Sequence, residues 1–373
     1  MASRVYFADM RTRYGRNLLD KVGQLFEMAS FGEFISKGDM VAIKLHVGEP
    51  GNLTYLSPPL VRRVVDRIKA FGGKPFLTDA NTLYTGRRSN AVDHTIAAIE
   101  NGFSYATVGA PFIVADGLNG QESVTVPLEG EGLQLKEARI GAALAHADAL
   151  IAMSHFKGHE ATGFGGALKN IGMGGGSRAG KQVQHSELKP LVDPVRCTTC
   201  GRCLKVCPVK AIAYTEAMKA LIDPAVCYGC GECVVVCRDR AIAVNWREGR
   251  KGSLQERMTE YAFALVQTKA GRCGFVNFVM NVTPDCDCAN WSDLPIVPNL
   301  GILASRDPVA VDQASVDLVN RAPGLAGTAL ADFTETEDKF RVLHSDVDWS
   351  IQLAHGERIG LGSRDYELVA IDK

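Results

Sequence analysis

Apolar and polar positions alternate along this chain with two different periods. MVAIKLHV (40–47) is a nearly unbroken apolar run of strand length, the pattern of a buried strand. PPLVRRVVDRIKAFGG (58–73) carries apolar residues at helical spacing, with prolines at its start and glycines at its end, and predicts a helix. KPFLTDAN reads as the next strand, and DALIAMS, inside HADALIAMSHFKGH (146–159), as another. Later, VPNLGILAS ends a strand at Ser305, and DPVAVDQASVDLVNRA (307–322) predicts a capped helix. Strands alternating with helices predict an α/β fold, a large domain with a mixed, mostly parallel sheet. Residues 188–246 break the pattern and read as a small inserted α+β module of ferredoxin-like type. The large domain is then 1–187 and 247–373.

The insertion is a repeat. DPVRCTTCGRCLKVCPVKAI starts at Asp193 and DPAVCYGCGECVVVCRDRAI at Asp223, an offset of 223 − 193 = 30 residues. Each copy reads C-x2-C-x2-C-x3-C, and eight of the 11 cysteines fall between Cys197 and Cys237. A cubic iron–sulfur cluster needs thiolates converging from several directions, and such a tight loop supplies three. Paired C-x2-C motifs also bind structural zinc, but the duplicated four-cysteine run favours cubes. The pattern resembles bacterial two-cluster ferredoxins. That resemblance implies two 4Fe-4S clusters, each fourth cysteine crossing to the other loop's cluster. Cys197, Cys200, Cys203 and Cys237 would hold one cluster; Cys227, Cys230, Cys233 and Cys207 the other. The first copy keeps a proline after its last cysteine, Pro208, where the second has Arg238.

Composition narrows the setting. The formal net charge is -1, which leaves no basic groove for nucleic acid and no polybasic membrane patch. There is no apolar run of about 18 residues to span a bilayer. The opening MASRVYFADMRTRYGRN has no apolar core of signal-peptide length, so a cytoplasmic location is expected. Cytosolic thiols stay reduced, which points most of the cysteines toward metal. From Leu188 to Trp246 there are eight Lys/Arg and five Asp/Glu, 8 − 5 = +3. A basic module predicts an acidic electron-donor protein such as a soluble ferredoxin; the plain alternative is a solvated surface.

The richest segment of the large domain is SHFKGHEATGFGGALKNIGMGGGSRAGKQVQH (154–185). It follows a predicted strand, and parallel sheets bind ligands at the carboxyl ends of strands. It carries Lys157, His159, Glu160, Lys169, Arg178, Lys181 and His185 among many glycines. We read it as a loop that holds a small anionic substrate, with glycines for close backbone approach; a flexible linker is the alternative. His159 is expected to act as general acid, and Lys169 and Lys181 to hold the anion. Lys44, His46, Asp79, Asn81, Tyr84, Arg87 and Arg88 at predicted strand ends are candidate pocket walls. Cys286 and Cys288 form a C-x-C pair; with Cys273 they make a candidate third metal or cluster centre, against the alternative of packed, reduced thiols.

KGHEATGFGGALKNIG, PDCDC (284–288) and LPIVPNLGILASRDPVAVDQAS (294–315) resemble the domain of unknown function 362 family. Members of that family often carry a fused or inserted two-cluster ferredoxin. The resemblance spans nearly the whole chain and implies an oxidoreductase-like role with no assigned substrate. Within it, the order His159, Gly163, Gly165, Gly166, Lys169, His185 is similar to the active-site loop of nickel-pincer lactate racemases. There the lysine in the place of Lys169 carries the cofactor. The histidine in the place of His159 is the acid or base, and that in the place of His185 ligates nickel. What this similarity implies for the present chain is that His159, Lys169 and His185 face one pocket. The functional expectation is an oxidoreductase that passes electrons from a low-potential donor through two clusters to a site in the large domain. An electron carrier, or a metal or cofactor maturation factor, is the alternative. No dinucleotide fingerprint or Walker loop is present.

Overall fold

The computed structural model describes residues 2–84, 86–186, 189–244, 251–330 and 338–371. An eight-stranded sheet forms its middle layer. Its strands are β1 (Ser3–Asp9), β2 (Met40–Lys44), β3 (Lys74–Asp79), β4 (Phe112–Val114), β5 (Ala149–His155), β6 (Cys273–Val279), β7 (Gly301–Ser305) and β8 (Tyr366–Ala370). They lie in the order β8-β1-β7-β6-β5-β2-β3-β4, and only β7 runs against the rest.

The strands and helices named above from their patterns are all present. MVAIKLHV pairs only as far as Lys44, although Leu45 and Val47 stay buried beyond the strand end. Sheet side chains alternate faces. Val41, Ile43, Ile151 and Met153 join the apolar core on one side, and Ala42, Leu150 and Ala152 that on the other. Both faces are covered, which is why these strands read as continuous apolar runs. Helices α1 (Leu18–Met28) and α2 (Pro58–Ala70) cover one face. Helices α3 (Ala167–Gly175), α4 (Arg178–Gln184), α5 (Lys251–Gln267) and α6 (Pro308–Arg321) lie on the other. Asp307 caps α6 by accepting from Val309 N and Ala310 N. Among the described residues no helix is long and apolar enough to cross a membrane.

The chain leaves β2 toward β3 and β4 on one side, and leaves β5 toward β6 on the other. The strand order therefore reverses between β2 and β5, and a crevice opens at their carboxyl ends, the preferred ligand position in such sheets.

The cysteine-rich insertion lies between α4 and α5; its expected limits, 188 and 246, fall outside the described residues. It is a small α+β unit. Two antiparallel ribbons pair Pro190–Val192 with Ile242–Val244 and Ile212–Tyr214 with Ala220–Ile222, beside the short helices Arg202–Val206 and Glu232–Val236. The sequence repeat is also a backbone repeat: positive φ recurs at Thr199 and Gly229, Gly201 and Gly231, and Lys210 and Arg240. The unit packs on α4. A Cβ at Gly231 would lie 2.7 Å from Gln182 Cβ, so only glycine allows this approach. Arg139 pairs with Glu232 across the same contact, and Leu83 of the large domain joins the insertion's apolar core.

Candidate active site

A cavity of about 570 Å³ fills the crevice, a size suited to a small molecule. Asn170 on α3 ties its two sides together. Its Nδ2 donates to Lys44 O (3.2 Å), Met153 O (3.0 Å) and Ser154 Oγ (3.0 Å), while its Oδ1 accepts from Lys44 Nζ (2.8 Å). One amide thus pins the ends of β2 and β5 to the first turn of α3. Asp312 fixes the amino end of that helix by accepting from Ala167 N and Leu168 N at 2.7 and 2.9 Å.

His159, Lys169 and His185 line this one cavity, with Lys44, His46, Asp79, Tyr84, Arg88, Lys157, Lys181 and Cys288. Its described lining is rich in cations. Lys44, Arg88, Lys157, Lys169, Lys181 and Arg257 share it with the carboxylates Asp79 and Glu160, while Glu49 and Asp287 sit behind Arg88 and Lys157. Lys44 is paired with Asp79 at 3.0 Å. Burial lowers the Lys44 pKa, and Asp79 opposes that shift. Arg88 is held by Glu49 Oε2 at 2.8 Å and donates to the Tyr84 hydroxyl. Burial brings Lys181 down to about 8, although its Nζ donates to Gly176 O at 2.6 Å. Burial, then the Lys169 charge, pushes His159 well down, and burial brings His185 to about 4. His159 is therefore neutral near pH 7, and the general-acid role expected of it needs a charge that this cavity disfavours. Gln184 Oε1, in the cavity wall, makes no hydrogen bond.

Lys181 should make anion binding in this cavity depend on pH. Below about pH 8 the side chain is an ammonium; above it the charge is lost. The affinity of the cavity for a small dicarboxylate, read by calorimetry, should fall up to about tenfold between pH 7 and 9, the scale of one lost charge contact. Lys181→Met should bind weakly at both pH values and show no such step.

Several sequence-named residues sit elsewhere. Arg87 points outward and pairs with Glu100 at 3.0 Å, so of the two adjacent arginines Arg88 alone lines the cavity. Asn81 is buried against Asp116, its Nδ2 donating to Oδ1 at 2.8 Å. Arg178 is buried beside Asp116 and Asn119, outside the cavity lining. Residues 154–185 form no open loop: a short hairpin (Lys157–His159 with Gly163–Gly165) leads into α3 and α4. Most of its glycines serve close packing of protein on protein. A Cβ at Gly158 would sit 2.1 Å from Pro284 O, and one at Gly172 2.2 Å from Met258 O.

The three late cysteines do not converge. Cys273 opens β6 opposite Leu150, whereas the cavity lies at the other end of that strand, where Phe278 pairs with His155. Five residues at about 3.3 Å each put about 16 Å between those levels. Cys286 and Cys288 do meet, with sulfurs 3.1 Å apart. Lys169 Nζ lies 3.4 Å from Cys286 Sγ, and His46 Nε2 3.4 Å from Cys288 Sγ. The hydrogen bond between the sulfurs, then Lys169 and His46, outweigh burial and hold Cys288 well below the usual thiol range. The same hydrogen bond, with burial, pushes Cys286 up. The pair is thus a thiol donating to a thiolate. The residue between them was not singled out in the sequence. Asp287 accepts from His155 Nδ1 at 2.9 Å and from Thr54 Oγ1 at 3.0 Å, and it lies 3.4 Å from Lys157 Nζ.

In the insertion, Cys197, Cys200, Cys203 and Cys237 line one small cavity. Cys207, Cys227, Cys230 and Cys233 line another. Ala211 N and Ala241 N each donate to the last cysteine of their repeat, Cys207 and Cys237, at 3.2 Å. Among the described residues no three His, Cys, Asp or Glu side chains are grouped to hold a single metal ion.

Fold and site together define an α/β protein with a cationic cavity at its sheet crossover and a cysteine-rich insertion packed on the cavity's own helix. The chain belongs to the family described as "Domain of unknown function (DUF362)", whose pattern matches residues 41–317. Among solved structures it is similar to the lactate racemase apoprotein from Thermoanaerobacterium thermosaccharolyticum. The identity is 12% and the TM-score 0.38, over 74% of this chain and 50% of that one, so the chain spans about half of that protein's length. No curated protein matches.

Proposed function

We propose that this chain is an iron–sulfur oxidoreductase. Two 4Fe-4S clusters in the insertion would serve a site in the large domain that holds a small anionic substrate. One observation carries the reading: the eight insertion cysteines sort four and four around two separate cavities, each set drawing three cysteines from one repeat and one from the other. Four thiols spread around a cavity suit a cluster of several irons. The clusters, when bound, supply one-electron transfer at potentials tuned by their surroundings. The N–H groups of Ala211 and Ala241 stabilise thiolate charge on Cys207 and Cys237. Helix α4 presents Gln182 and Ala179 to the Gly231 loop, and Lys181 and Gln184, with His185 just past its carboxyl end, to the substrate cavity. A single helix, about 10 Å across, therefore separates cluster loop from substrate. Lys44, Lys169 and Lys181 attract and orient the anion. The basic surface of the insertion suits an acidic donor protein.

The test is metal and sulfide content after anaerobic purification, with electron paramagnetic resonance of the reduced protein. About eight irons per chain and signals from two interacting cubes are expected. Cys203→Ser with Cys237→Ser should leave about four. Zinc in place of iron, in protein made with iron in excess, would overturn the proposal.

A further inference from the structure

The C-x-C pair is not used by that reading. Its sulfurs are 3.1 Å apart, and a disulfide needs about 2.05 Å, so bond closure asks for only about 1 Å of side-chain movement. Both sulfurs are turned to the same side because Asp287 between them is anchored on the other, by His155, Lys157 and Thr54. The two thiols are not equivalent. Cys288 lines the cavity, while Cys286 is buried behind it against Lys169. Accessibility and the facing cations make Cys288 the attacking group and Cys286 the resolving one. The space before Cys288 is bounded by Lys44, Arg88, Lys169 and Lys181, so it admits anions.

We propose that Cys288 and Cys286 form a redox dithiol that reduces a small, carboxylate-bearing disulfide bound in the cationic cavity. This rests on the cavity being the substrate site and names its substrate class. The Cys288 thiolate attacks one sulfur of the substrate. A Cys288–sulfur bond forms, the substrate S–S bond breaks, and the first half leaves as a thiolate near Lys169. Cys286 gives its proton to that thiolate and attacks the Cys288 sulfur. The Cys286–Cys288 disulfide forms and the second half leaves as a thiolate. One substrate disulfide gains two electrons, and the protein dithiol loses two. Restoring the dithiol takes two electrons and one proton; the two clusters of the proposed function, once bound, would supply one electron each.

The experiment uses anaerobic holoprotein, its iron counted before and after, mixed with oxidised glutathione and no other reductant. We expect about one disulfide consumed per chain with iron retained, and cystamine, a cationic disulfide, consumed at least about tenfold more slowly. Cys288→Ser should consume none. Cys286→Ser should stop at a glutathione adduct seen by intact mass. Blocking Cys288 in the wild type with iodoacetamide gives the same test without a variant. No consumption by correctly folded holoprotein, equal consumption by Cys288→Ser, or a metal held by Cys286 and Cys288 would each overturn the proposal. Full iron without exchange sinks the dithiol alone; exchange without iron sinks the cluster reading alone.

Discussion

Asp287→Asn is expected to cost about 3–5 kcal/mol of stability, the range for breaking a buried charge pair from one side. The carboxylate is fully buried. His155 faces it through Nδ1 at 2.9 Å and faces Met280 O and Asn281 O through Nε2 at 2.9 and 3.0 Å. Both ring nitrogens meet acceptors, and Asp287 is the carboxylate among them. With Lys157 Nζ at 3.4 Å, two buried basic side chains rely on this one anion. Asparagine keeps the shape and removes the charge. The surface pair Arg87–Glu100 is as short, at 3.0 Å, but both partners are about half exposed. Arg87→Ala should therefore cost less than about 1 kcal/mol. The pH dependence has a fixed sign. Burial alone would raise the Asp287 pKa, but His155 and Lys157 hold it far below the usual carboxylate range. A depressed folded value gives stability that is full above the unfolded pKa, about 3.9, and is lost as pH falls. Urea unfolding at pH 7 and pH 3 should show the wild type losing more stability than the variant. A loss below about 1 kcal/mol at pH 7 would show that this carboxylate is not the anchor of the loop.

The sequence displayed strand ends well and contacts between distant loops poorly. Lys44, His46, Asp79, Tyr84 and Arg88 could be placed at a cavity because apolar runs mark where β2 and β3 stop, and parallel strands put their carboxyl ends together. The cysteine repeat was legible because ligand spacing is a local property. Asp287 was not, since its importance comes from His155, 132 residues away in the chain. The glycines misled for a related reason. In sequence, a glycine that makes room for a ligand looks the same as one that makes room for Pro284 O, as Gly158 does. Cys273 looked like a partner of Cys286 because 13 residues separate them, but β6 runs between and carries them to opposite ends of the sheet.

Lys169→Met should slow alkylation of Cys288 at pH 7 by about tenfold or more, with iron content unchanged. Burial works against a charged lysine here, yet the Cys286 and Cys288 sulfurs hold the Lys169 pKa above its ordinary value. Linkage requires the converse: the ammonium helps keep Cys288 ionised. Removing it from a buried site should move the Cys288 pKa back toward the usual thiol range; at about 8 only about a tenth is thiolate at pH 7, a tenfold loss. Methionine matches the length of the chain and leaves no cavity, so a loss of rate reports the charge rather than packing. The pH profile separates the two directly. In the wild type the Cys288 pKa lies well below the usual thiol range, so its alkylation rate should be nearly flat across neutral pH. In the variant it should climb about tenfold per unit until the thiol ionises. Lys169→Arg restores the charge and should restore the flat profile. If Lys169→Met alkylates as fast as the wild type, the hydrogen bond from Cys286 is sufficient to hold the thiolate, and Lys169 belongs to anion binding alone.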